Sequence, residues 1–99
     1  MKKEIFDKYV DEVTRLFGIS KEQFFTKNKK RDISEARQVV YYLCYRRPMQ
    51  ITYIEQHMRS NGYDVRHPTI IHGIKVMTDR VDADKDYYKL IERIEKCVQ

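Results

Sequence analysis

The sequence predicts an all-α domain of five to six helices with a helix-turn-helix among them. Three observations carry that prediction. Strand-type alternation is nearly absent, apolar residues recur at helical spacing in segment after segment, and glycine, proline and capping residues punctuate the intervals. The chain has 99 residues, enough for one domain with one modest core.

The elements follow in order. Ile5, Phe6, Tyr9, Val10, Val13, Leu16 and Phe17 form the apolar stripe of a first helix, and Gly18 suits a left-handed stop after it. Ser20 with Gln23 three residues on makes a capping box for a short second helix ending near Phe25. A basic loop runs from Thr26 to Arg31. Asp32 with Glu35 resembles a second capping box and opens a third helix reaching about Arg47, with Ile33, Ala36, Val40, Leu43 and Cys44 inward and Pro48 beyond its end. Tyr41, Tyr42 and Tyr45 are expected to give this helix an aromatic outer surface, suited to packing against the terminal helices or a partner protein more than to stacking on single-stranded bases.

A shorter fourth helix carries Ile51, Ile54 and Met58, and Asn61-Gly62 signals a turn. The fifth helix, about 67–81, starts at Pro68, whose missing N–H costs nothing in a first turn. Ile70, Ile71, Ile74, Met77 and Val81 form its buried face. Thr69, His72, Lys75, Val76 and Asp79 form the opposite one, which offers donors and a cation of the kind base edges and phosphates accept. Acids between Asp82 and Asp86 suit the first turn of a last helix, which buries Tyr87, Leu90, Ile91, Ile94 and Val98.

Composition narrows the function. Lys plus Arg number 20 against 15 Asp plus Glu, for a net charge of +5 and a pI near 9.2. That excess suits a polyanionic partner, and its position sharpens the signal. Lys27 to Arg31 reads Lys-Asn-Lys-Lys-Arg, while acids gather near both ends. No apolar run approaches the roughly 20 residues needed to cross a bilayer, so a cytoplasmic protein with no membrane partner is expected. Cys44 and Cys97 are far apart, belong to no CxxC pair, and are read as free core thiols.

A metal site is not expected. His67 and His72 stand about 140° apart around a helix, and no cysteine or carboxylate completes a ligand set. His57, at the edge of its stripe, is read as structural. No catalytic constellation, phosphate-binding glycine loop or cofactor motif is present, so neither an enzyme nor a cofactor is expected.

Three stretches resemble the C-terminal DNA-binding domain (domain IV) of the bacterial replication initiator DnaA. They are Val13 to Ser20 with Phe24; Lys29 to Gln38 with Tyr42-Leu43; and Arg66-His67-Pro68-Thr69-Ile70-Ile71-His72-Gly73. The likeness covers roughly residues 10 to 81. It implies a Trp-repressor-type helical arrangement and a grip on double-stranded DNA in two grooves. Arg37 would enter the minor groove, Lys29, Lys30, Arg31 and Lys75 would meet phosphates, and Arg66, His67, Thr69 and His72 would face the major groove.

The chain departs from the family signature at Arg66, where an Asp is usual, and at Pro68, where a Thr is usual. Duplex binding is therefore implied, and the initiator's own target sequence is not. Standing alone, such a domain would be a small regulator, an accessory replication factor, or a phage or mobile-element protein. An adaptor that binds another protein through its tyrosines is the contending reading. Oligomeric state is left open.

Overall fold

The computed structural model describes residues 2–98, which form six helices in the order α1 (Lys2–Phe17), α2 (Lys21–Phe24), α3 (Arg31–Arg46), α4 (Ile51–Ser60), α5 (His67–Ala83) and α6 (Lys85–Cys97). No strand occurs among the described residues.

The boundaries have local causes. Gly18 adopts a φ of 67°, which lets the Ile19 N–H reach back to the Thr14 carbonyl at 3.0 Å and close α1. The Ser20–Gln23 capping box forms in both directions: Ser20 Oγ accepts from the Gln23 N–H at 3.0 Å, and Gln23 Oε1 accepts from the Ser20 N–H at 2.9 Å. Gly62, at φ 91°, ends α4 in the same manner as Gly18, with the Tyr63 N–H on the Met58 carbonyl at 3.0 Å. Asp84 caps α6, its Oδ1 accepting from the Asp86 N–H at 2.9 Å and the Tyr87 N–H at 3.3 Å.

The α3 helix is the hub. Its main packing surfaces are with α5 and α1, and Ile33, Ala36, Val39, Val40, Leu43 and Cys44 are buried. The rest of the core comes from Phe6, Tyr9 and Val13 of α1, Phe24 of α2, Ile54 and Met58 of α4, Ile70 and Met77 of α5, and Ile91 and Ile94 of α6. Each large apolar side chain removed from water stabilises the fold by about 1.5–3 kcal/mol.

Where α3 meets α5, Gly73 matters. A Cβ there would lie 3.1 Å from both Gln38 Cγ and Tyr41 Cδ2, so glycine lets the two helices approach closely. Long side chains then tie α6 to this pair. The Tyr87 hydroxyl donates to Glu35 Oε2 at 2.5 Å, Arg80 Nη1 lies 3.1 Å from the same oxygen, and Arg46 Nε donates to Glu95 Oε2 at 2.7 Å.

Several expectations are corrected. Tyr41 and Tyr42 are buried, because α3 is surrounded on most of its circumference, so only Tyr45 of the three presents an aromatic outer surface. Burial raises the Tyr41 phenol well above its ordinary value. Ile71, placed on the buried face of α5, is half exposed, as Leu16 is in part. Cys44 is in the core, but Cys97 is exposed. The Asp32–Glu35 box does not form. The N-cap falls two residues earlier, at Lys30, which makes no side-chain cap hydrogen bond, and Glu35 is taken by Arg80 and Tyr87. His57 is half-buried against Phe6, ring centres 5.0 Å apart, and its Nε2 is buried with no hydrogen-bond partner among the described residues.

Candidate nucleic-acid interface

The second and third helices of the helix-turn-helix are α4 and α5, joined by residues 61–66. At the start of α5, Arg66 is the N-cap, Pro68 lies in the first turn, no side chain caps the free N–H groups and no acid occupies the first turn. A helix beginning this way carries unsatisfied donors and the positive end of its dipole into solvent. Arg66, His67, Thr69, His72 and Lys75 are all exposed.

Two acids orient the cations at this entrance. The Nδ1–H of His67 donates to Glu55 Oε2 at 2.9 Å, which holds the Glu55 carboxyl below its ordinary range, with the nearby Arg59 charge adding to the effect. Asp64 lies 3.4 Å from Arg59 Nε and 3.7 Å from Arg66 Nη2. The Asp64 pairs are open to solvent and contribute little net stability, so an arriving phosphate competes with them.

The start of α3 repeats the pattern at its N-cap but not in its first turn, where Asp32 Oδ1 accepts from the Ile33 N–H at 2.9 Å. Lys30 is the N-cap without a side-chain hydrogen bond, and Arg31 is the first helical residue. Both sit at the positive end of a dipole that disfavours them. Asn28 Oδ1 accepts from the Lys30 N–H at 2.8 Å and shapes the loop. Lys29, Lys30 and Arg31 are exposed. Lys29 and Arg31 line an open channel of about 550 Å³ together with Ser34, Glu35 and Gln38 of α3 and Val76 and Arg80 of α5. The basic loop and the outer flank of α5 thus share one concave surface.

Five residues of that surface, Ser34, Glu35, Gln38, Val76 and Arg80, are absent from the sequence-derived set, and Gln38 and Arg80 are the two with long N–H-bearing side chains. Continuing the Thr69–His72–Val76 spacing by one turn reaches Arg80, so the sequence does carry a signal for it. Gln38 depends on the α3–α5 contact at Gly73, which no local pattern reveals.

Of the nine expected site residues, eight are exposed and Arg37 is not. Arg37 is 4% exposed and its guanidinium is committed to backbone carbonyls inside the protein. In this conformation it is neither the surface arginine nor the free reaching side chain that its helix position suggests. The described residues contain no cluster of three metal-ligating side chains and no helix long and apolar enough to cross a membrane.

Fold and surface together define a helix-turn-helix domain whose two exposed helix starts are cationic. Residues 6–76 match the family described as bacterial dnaA protein helix-turn-helix, and the chain belongs to that family. It is 29% identical over 99 residues to the chromosomal replication initiator protein DnaA of Porphyromonas gingivalis, strains ATCC 33277 and W83, a match that covers 98% of this chain and 20% of each relative. It is 24% identical over 95 residues to the protein of the same name from Pseudothermotoga lettingae, covering 93% of this chain and again 20% of the relative. The chain therefore spans about a fifth of the length of these relatives. No solved structure matches it.

Proposed function

We propose that this chain binds double-stranded DNA, with α5 in the major groove and the start of α3 on the phosphate backbone. One observation carries the reading. Both α3 and α5 begin on cations, Lys30–Arg31 and Arg66, with no N-cap side chain to cap them. That arrangement costs folding free energy, about 0.3–1 kcal/mol for each cation at a helix N-terminus, and a bound phosphate reverses its sign.

In this reading Lys29, Lys30, Arg31 and Lys75 neutralise phosphates, which sets affinity and its salt dependence. Arg66, His67, Thr69 and His72 face base edges. An arginine at position 66 favours guanine O6 and N7, whereas a carboxylate there would accept from cytosine N4. The preferred target therefore differs from that of a relative with Asp at this place. The relatives named above are replication initiators, so we place the activity in DNA replication or its regulation, as binding rather than catalysis.

Fluorescence anisotropy with a labelled duplex across a salt series tests this. The wild type is expected to bind with a steep salt slope, and Lys29→Ala/Lys30→Ala/Arg31→Ala to lower that slope by about 0.9 for each phosphate that is no longer neutralised. Equal, salt-insensitive affinities for the two proteins would overturn the reading.

A further inference from the structure

The channel shared by the basic loop and α5 holds an acid among its cations. Lys29 and Arg31 line it from the loop and the first residue of α3, Arg80 lines it from α5, and Glu35 lies with them. One oxygen of that carboxylate is doubly engaged. Glu35 Oε2 accepts from the Tyr87 hydroxyl at 2.5 Å and lies 3.1 Å from Arg80 Nη1. The Arg80 guanidinium also lies over the Tyr87 ring, 5.0 Å from its centre, so side chains from α3, α5 and α6 close on one point. Burial, with the Glu35 carboxylate beside it, raises the Tyr87 phenol well above its ordinary value, so the hydroxyl stays a donor.

What these two donors hold is an anionic oxygen, and a phosphate presents the same group. The guanidinium fork of arginine matches phosphate as well as carboxylate geometry. The Arg80 side chain is 46% exposed, and an ion pair this open contributes little net stability, so its carboxylate exchanges readily for another anion. The position of Arg80 points the same way. Thr69 and Arg80 lie on one flank of α5, about 16 Å apart along the helix axis. A helix that reads a major groove roughly 12 Å wide with its first turn has left the groove by that distance and stands over the phosphates at its edge.

We propose that Arg80 is a further phosphate-binding residue of this interface, and that Glu35 is a stand-in which a DNA phosphate displaces. Glu35 then sets a threshold on affinity, because a duplex must outcompete an internal acid before it gains the Arg80 contact. This rests on the duplex-binding reading above.

Charge-neutral substitutions test it. Glu35→Gln removes the charge and leaves an oxygen for the Tyr87 hydroxyl, and it is expected to tighten duplex binding about fivefold. Arg80→Gln is then made in the Glu35→Gln background, so that no carboxylate is left unpaired in the channel. There it is expected to weaken binding about tenfold and to lower the salt slope by about 0.9. Arg80→Lys in the same background is expected to restore the slope but only part of the affinity. Circular dichroism selects folded variants. A Glu35→Gln protein that binds no tighter, or an Arg80→Gln change that moves stability but neither affinity nor slope, would reduce the three side chains to a tie between helices and overturn the proposal.

A spectroscopic readout stands apart from affinity. In the free protein the Tyr87 hydroxyl proton is expected to give an NMR signal slowed in solvent exchange by its bond to Glu35, and saturating duplex is expected to shift it as the carboxylate leaves. An unchanged signal in the bound protein overturns the displacement of Glu35. A wild type that binds no duplex removes the DNA reading and this proposal together, whereas a steep salt slope that neither substitution alters removes the proposal alone.

Discussion

Four helix starts in this molecule fall into two contrasting pairs. The starts of α2 and α6 are closed: Ser20 and Asp84 cap them, and Glu22 and Asp86 place acids in the first turn. The starts of α3 and α5 are open at the cap, with Lys30 and Arg66 at the N-cap, the position that the closed helices give to the oxygens of Ser20 and Asp84, although α3 too has an acid, Asp32, in its first turn. The same chain thus applies the ordinary rules of helix initiation at one pair and breaks them at the other. Local rules in folded proteins are broken chiefly where function requires it. The open pair is where an anion from outside would complete the helix.

The most severe test of this contrast is to neutralise the loop. Lys29→Ala/Lys30→Ala/Arg31→Ala should reduce duplex affinity roughly a hundredfold at moderate salt while leaving the thermal midpoint unchanged or raised. A matching fall in stability would mean that the cations serve the fold. Opening a closed start should do the reverse. Asp84→Ala is expected to cost about 1 kcal/mol in denaturant unfolding, with duplex affinity intact.

Closing an open start is the sharper, smaller test. Arg66→Asp supplies a cap for α5 and should stabilise the protein by about 0.5–1 kcal/mol while weakening DNA binding. A variant that gained on both counts would break the contrast. The smallest effect concerns a group outside both pairs. Burial lowers the His57 pKa from its ordinary 6.5. The unfolded chain then takes up a proton that the folded chain resists, so stability is full above about pH 6.5 and falls as pH drops toward the folded value. Urea midpoints at pH 7.5 and 5.5 should show this, and His57→Leu should flatten the difference.

Much of the fold is legible in the sequence because α1, α4, α5 and α6 each bury one face, and a single stripe leaves a periodic trace. The α3 helix buries most of its circumference, so periodicity identifies Ile33, Ala36 and Leu43 but leaves Tyr41 and Tyr42 looking external. Glu35 reads as a capping residue because Asp32 lies three residues before it. Its actual partners, Arg80 and Tyr87, come from 45 and 52 residues away. Arg37 is the least legible residue of the candidate site, since its burial depends on loop carbonyls that carry no side-chain signature. The eight exposed members are easier, because cations and small polar residues around Pro68 and the Lys-Asn-Lys-Lys-Arg run have few alternatives to solvent or a polyanion.

Gly73 has a consequence for how such a domain can change. The residues that seat α5 on its neighbours, Ile70, Gly73, Ile74 and Met77, and the residues it offers outward, Thr69, His72 and Lys75, are disjoint sets on one helix. New outward side chains can be exchanged without disturbing the seat, provided the glycine stays and α5 keeps its depth. Target preference and fold integrity are then separate variables, which makes α5 an interchangeable reading head on a fixed chassis.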